Sequence, residues 1–262
     1  MLCCFFAIII LYITYASVNE SSTNEVKETY PSISKLVLSI LKNYPFWIVF
    51  SSILILGSTT IMFNKNLIYY IKYALDLHNF QGLVLGLSGL SSFASIPFWS
   101  YVSLKIGKRN TWQISMSLLL LAFALFYYYQ INSIQELIII VCLIGIASGA
   151  GGVLFWSMLP DTIEYGEWKS GIRSESSLYG FMTFAQKSSI AVAALILGVL
   201  LTSINFTPNE VQNPETLAGL KNIMSLIPAS GIAISIFLMY FYPINSEYHK
   251  ELLINIEARK NG

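Results

Sequence analysis

Residues 160–187 read PDTIEYGEWKSGIRSESSLYGFMTFAQK. Asp161, Glu164, Glu167, Lys169, Arg173 and Glu175 crowd the first half, and Lys187 closes the second half inside an apolar run. The rest of the chain is nearly bare of such groups. Charged residues make up 11% of the 262, hydrophobic residues 55%, and mean hydropathy is +0.63. A soluble domain carries about twice that share of charge. No Asp, Glu, Lys or Arg occurs in 1–19, 43–64, 77–104, 110–135, 137–160, 188–209 or 222–246. Each of these seven stretches has roughly the 20 apolar residues that carry a helix across a bilayer core. Lipid gives backbone groups no partner, and alternating segments of about 10 residues, the mark of barrel strands, are missing from the sequence. The sequence therefore predicts an all-α polytopic membrane protein with seven spans.

A net charge of +1 points away from nucleic acid as a partner. Cys3, Cys4 and Cys142 all sit in apolar runs, without the loop spacing of a disulfide framework or a metal site. His78 and His249 each stand alone. No span holds a paired acid, a metal cluster or a Ser–His arrangement, so neither an enzyme nor a bound metal or cofactor is expected.

Along the chain, residues 1–17 form a first apolar helix with no basic region before it, unlike a signal peptide. Residues 18–45 are a linker rich in Ser, Asn and Glu, ending in an amphipathic lead-in, 36–44, before Pro45. Residues 46–243 hold six spans, and 244–262 form a polar tail. The second span turns polar late, at NKNLIYYIKYALD. Its default reading is an interfacial belt of lysine and tyrosine. The alternative has Asn66, Tyr69 and Tyr70, with Trp156 from the fifth span, lining a pathway. Gly82, Gly86 and Gly89 keep one side of the third span thin enough for close helix approach. Gly145, Gly149 and Gly152 do the same for the fifth, where the bare face either packs tightly or leaves room for something to pass.

Lys27, Lys35, Lys42, Lys105, Lys108, Arg109, Lys169, Arg173, Lys250, Arg259 and Lys260 fall on one side of this arrangement, and Lys65, Lys72 and Lys221 on the other. The richer side is expected to be cytoplasmic, in a cell membrane, with the 160–177 loop and the C-terminus on it.

Asp161, Glu164 and Tyr165 share a face if helix continues past Pro160. They, with Arg173 and Glu175, form either a solvated loop of weak ion pairs, each worth about 0–1 kcal/mol, or a gate whose pairs make and break. Lys187 poses a harder problem. Near the bilayer middle a lysine costs about 2.5–3.5 kcal/mol to insert. Tyr179, Thr183 and Lys187 recur at four-residue intervals with Gln186 adjacent, and the stripe continues as Ala191, Ala194 and Gly198. That pattern suits a water-filled cleft, where hydroxyl, amide and ammonium groups meet a sugar's hydroxyls. A structural ion pair is the alternative, but no acid falls mid-membrane in this sequence, so such a partner lies outside it.

LPDTIEYGEWKSGIRSES followed by YGFMTFAQK resembles the signature around the tenth and eleventh helices of the glycoside–pentoside–hexuronide:cation symporters. This is the melibiose-carrier branch of the major facilitator superfamily. NLIYYIKYAL is similar to that family's seventh helix and LKIGKRNTW to its basic loop between helices eight and nine. The resemblance runs over roughly 1–250, with 1–17 matching by position alone as the end of helix six. It implies a six-helix C-terminal half of a major-facilitator fold plus one N-terminal helix. It also implies that Thr183, Gln186 and Lys187 belong to the sugar and cation region, and that Asp161, Glu164, Arg173 and Glu175 form a cytoplasmic gate. The family's cation-binding aspartates and most of its sugar contacts lie in the other six helices. Cation-coupled symport of a glycoside, with Na⁺ or H⁺, is thus expected only with an N-terminal half, whether this chain is a fragment, a split-gene product or a half needing its partner. A transport-inactive remnant, an interaction subunit, and a carrier of another small solute or lipid are the alternatives.

Overall fold

The computed structural model describes residues 2–17 and 32–261. It separates into two compact units, Met1–Ile33 and Ser34–Gly262. The first holds α1 (Leu2–Ser17), an apolar helix whose residues from Ile8 onward are exposed. Residues 18–31 of the expected linker, and with them Lys27, lie outside the described residues.

The second unit is a helical bundle. It contains most of α2 (Ile33–Leu41), then α3 (Tyr44–Tyr69), α4 (Gln81–Ile106), α5 (Lys108–Tyr128), α6 (Ile134–Ser170), α7 (Glu175–Ser203), α8 (Pro214–Tyr240) and α9 (Ser246–Asn261). Six helices among the described residues, α3 to α8, are long and apolar enough to cross a membrane. Local chemistry sets their starts. Asn43 accepts a hydrogen bond from the Phe46 amide at 3.3 Å, with Pro45 in the first turn of α3. Ser133 accepts from the Glu136 amide, and the Glu136 carboxylate accepts from the Asn132 amide at 2.8 Å, which closes the N-terminus of α6 from both sides.

Two sequence expectations need correction here. Residues 160–170 are not loop, because α6 passes through Pro160 and ends only at Gly171. Proline removes one backbone hydrogen bond from a helix interior, but Asp161, Thr162, Ile163, Tyr165 and Gly166 are all buried and hold the next turns in place. The helix stops where Gly171 takes φ 72° and its amide donates to the Glu167 carbonyl. The connection to α7 is therefore only 171–174. Likewise the C-terminal tail is helix α9, whose Leu252 and Ile256 are buried against the bundle.

Within the bundle α4 lies on α6, α5 on α6 and α8, and α3 on α7 and α8. The α4–α6 contact is closest where Gly145 and Gly149 meet α4. A Cβ on Gly149 would stand 2.5 Å from the Ser92 carbonyl oxygen, and one on Gly145 2.6 Å from that of Ser88. The expectation for α4 is overturned, since added Cβ atoms on Gly82, Gly86 or Gly89 would meet nothing within 4 Å. The thin surface belongs to α6, and α4 answers it with serines. Gly149→Leu is expected to destabilise the fold by about 1–3 kcal/mol through overpacking. Gly152→Leu, also in open space, should leave thermal unfolding in detergent unchanged. Equal melting temperatures for the two variants would refute this account of the α4–α6 seam.

The helices alternate in direction, which sorts the polar connections into two ends. One end gathers the start of α3, the Gly107 turn, the 171–174 turn and the α8–α9 junction. Asn43 Nδ2 donates to the Thr162 carbonyl at 2.8 Å, and the Ser39 and Ser174 hydroxyls are 3.0 Å apart there. At the opposite end Lys72 donates to Asn209, the Asn209 amide to the Tyr73 hydroxyl, and Lys221 to the Tyr129 carbonyl.

Candidate functional site

Two groups of residues stand out, one at the first end of the bundle and one on an open helix face. At the end, Lys108 begins α5 just after the Gly107 turn and reaches across to α6. Its ammonium donates to both Asp161 carboxylate oxygens at 2.8 Å and to the Ser157 carbonyl at 2.7 Å. Asp161 is buried. His249 of α9 places Nε2 2.5 Å from Glu164 Oε2 and 3.6 Å from Asp161 Oδ1. One turn of α6 thus faces Lys108 from α5 and His249 from α9. Tyr242 lies beside this group, its hydroxyl buried and without a hydrogen-bond partner among the described residues. Burial, reinforced by the Asp161 carboxylate, pushes that phenol well above its ordinary range, so it stays a neutral hydroxyl.

The ligand atoms of Asp161, Glu164 and His249 lie within 4.8 Å of one another, a spacing that suits a metal ion. Lys108 already occupies both oxygens of Asp161, however, and any cation there would compete with a fixed ammonium. The cluster ties α6 to α5 by the Lys108–Asp161 ion pair and to α9 by the His249–Glu164 hydrogen bond.

Next to it, Arg173 bridges Glu167 and Glu175, each at 2.9 Å. The Glu175 hydrogen bond, aided by Glu167, raises the guanidinium further above its already high value. Tyr165 packs edge-on against Tyr44 with Lys169 over both rings. The expected gate residues Asp161, Glu164, Tyr165, Arg173 and Glu175 therefore gather at one end, but Asp161 and Glu164 form one polar group, Arg173 and Glu175 another, and Tyr165 an aromatic contact with Tyr44. Sequence reasoning missed His249, Lys108 and Glu167 as their partners. The charge of LKIGKRN was visible, but the return of α9 onto α6, which gives His249 its role, was not.

The second group lies on α6 and α7. Tyr179 stacks on Trp156, with ring planes 20° apart and centroids 6.4 Å apart. Thr183 donates its hydroxyl to the Tyr179 carbonyl at 2.9 Å. Lys187 and Thr183 are exposed, Gln186 half-buried, and Ala191, Ala194 and Gly198 continue the exposed stripe. Lys187 has no hydrogen-bond or ion-pair partner among the described residues. It sits about 18 Å along a helix of about 44 Å, at 1.5 Å per residue.

The remaining candidates divide. Trp156 belongs to this open face. Asn66 and Tyr70 lie inside the bundle instead, where Asn66 Nδ2 donates to the Leu220 carbonyl at 2.9 Å and Tyr70 packs on Phe126. Tyr69 packs on Phe206 at the far end.

Residues 1–246 match the family described as MFS/sugar transport protein. The chain belongs to this family. A glucuronide carrier protein homolog of Escherichia coli (strain K12) is 26% identical over 253 residues, covering 96% of this chain and 55% of the relative. An isoprimeverose transporter of Lactiplantibacillus pentosus is 24% identical over 257 residues, covering 97% and 53%. The chain spans about half the length of the curated relatives it matches. Family membership and six spanning helices together make this a multi-pass membrane protein of a sugar-transport lineage.

Proposed function

We propose that the chain forms the C-terminal half of a cation-coupled symporter for a glycoside or related sugar. The observation that carries this reading is Lys187, a mid-helix ammonium exposed beside a stacked Trp156–Tyr179 pair. A charge at that depth is costly to keep unless something polar faces it. A substrate cleft between this half and an N-terminal six-helix half supplies that surface, since such carriers hold substrate between their halves. The aromatic pair offers an apolar face to a sugar ring, and the ammonium suits the carboxylate of a uronide, the kind of substrate named in one relative. Tyr179, Thr183 and Gln186 complete the polar surface. The coupling cation, Na⁺ or H⁺, is placed with the N-terminal half, where Lys187 tunes its occupancy by repulsion.

The end rich in lysine and arginine faces the cytoplasm of a cell in this reading, by the positive-inside bias. The ion-pair groups of Asp161 and Arg173 are then the cytoplasmic gate. The test is uptake of radiolabelled methyl β-D-glucuronide into vesicles holding this chain and a complementing N-terminal half, with and without a Na⁺ or H⁺ gradient. Gradient-driven accumulation is expected from the pair and none from either half alone. Equal, gradient-independent flux in all vesicles would refute it and leave an inactive remnant or interaction subunit as the reading.

A further inference from the structure

The amphipathic segment before α3 folds as α2. It ends at Leu41, and α3 begins at Tyr44. The turn between them is closed by the Lys42 amide donating to the Leu38 carbonyl and the Asn43 amide to that of Ile40, each at 3.1 Å. Trp47 of α3 then donates its indole N–H to the Ile40 carbonyl at 3.1 Å. These bonds fix α2 beside the first turn of a helix long enough to cross a membrane. That turn carries Tyr44 and Trp47, residue types that settle at headgroup depth.

Three faces run along α2. Leu36, Ser39 and Ile40 turn to the bundle, where Ile40 is buried and the Ser39 hydroxyl lies 3.0 Å from that of Ser174. Val37 and Leu41, one turn apart, are exposed, and so is Leu38 beside them. Lys35 and Lys42, two turns apart, make the third face, and residues 33–43 contain no Asp or Glu. Two features identify what covers the apolar face. The closed turn holds it at the level where α3 enters the bilayer, and the adjoining lysines complement anionic headgroups. A helix with an apolar side and a basic side lies in the interface plane, its apolar residues about 5–10 Å into the headgroup–acyl boundary.

We propose that α2 anchors this end of the bundle to an anionic lipid surface, with Val37, Leu38 and Leu41 at the acyl boundary and Lys35 and Lys42 on lipid phosphates. The Ser39–Ser174 contact carries that grip to the 171–174 turn, where Arg173 bridges Glu167 and Glu175. The inference does not depend on what is carried. Val37→Cys is introduced into the full chain with Cys3, Cys4 and Cys142 replaced by serine, and labelled with a polarity-sensitive nitrobenzoxadiazole dye. The labelled chain is reconstituted in phosphatidylcholine vesicles with or without phosphatidylglycerol. Emission should shift to the blue and be quenched by lipids spin-labelled just below the headgroup, more strongly when phosphatidylglycerol is present. A lysine near an anionic surface is worth about fivefold in attraction, so Lys35→Gln with Lys42→Gln should lower the ratio of quenched to unquenched dye about 25-fold in those vesicles. In phosphatidylcholine alone the same pair should change little. Should Val37→Cys fail to fold, Leu41→Cys carries the same measurement. Absence of quenching in both vesicles would overturn the lipid contact. Quenching equal in both and indifferent to the lysines would overturn the recognition of anionic headgroups. Quenching lost on adding a complementing N-terminal half would show that protein, and not lipid, covers the face.

Discussion

Alanine in place of Lys187 is expected to cut coupled sugar uptake severely while making the protein easier to insert and no less stable. A hydrogen bond to a charged group contributes about 1.5–3 kcal/mol, so losing the ammonium should lower uptake kcat/KM by about 10- to 100-fold. Coupling should fail further if the ammonium also tunes cation occupancy. Stability should move the other way, because no described residue pairs with Lys187 and removing its charge lifts an insertion cost of about 2.5–3.5 kcal/mol. Uptake kinetics and thermal unfolding, measured on the same preparation, separate this from a structural role. A structural lysine would lose both together, and unchanged uptake would remove Lys187 from the site.

Asp161→Ala should behave in the opposite manner, with stability as the main casualty. The substitution strands the Lys108 ammonium, which now donates to both carboxylate oxygens at 2.8 Å. Breaking a buried pair from one side costs about 3–5 kcal/mol. The Lys108 side chain is 34% exposed and water recovers part of that, so a loss of about 2–3 kcal/mol is expected. Adding Lys108→Ala should restore much of it, because the stranded charge is then gone. Thermal unfolding of both single variants and the double in detergent reads the coupling directly. Additive losses would mean that the two residues do not act as a pair.

The helical class and six of the seven expected spans were legible because lipid admits so few solutions, whereas the first uncharged stretch is a helix of only 16 residues, shorter than the six long enough to cross. Lys187 was legible for the same reason, as a charge is conspicuous in a run that excludes charge. The glycines were not. Gly82, Gly86 and Gly89 look as capable of close approach as Gly145 and Gly149, and only the packing of α4 on α6 decides which set is used. Pro160 misled as a helix end because the burial that carries α6 past it comes from other helices. His249 looked solitary because its partner Glu164 lies 85 positions away, joined to it only by the fold of α9.

The ion pairs of Lys108 with Asp161 and of Arg173 with Glu167 and Glu175 lie at the same end of the bundle, where His249 also meets Glu164. The other end is closed by neutral acceptors and ring contacts, such as Asn209 with Tyr73 and Phe206 with Tyr69. The two mouths therefore differ in their sensitivity to electrolyte. At about 1 M salt the Debye length shrinks to about 3 Å, weakening the half-exposed Arg173 pairs more than the hydrogen bonds of Lys72 and Lys221 to neutral acceptors at the opposite end. The two ends of this bundle are thus held by contacts that respond differently to electrolyte.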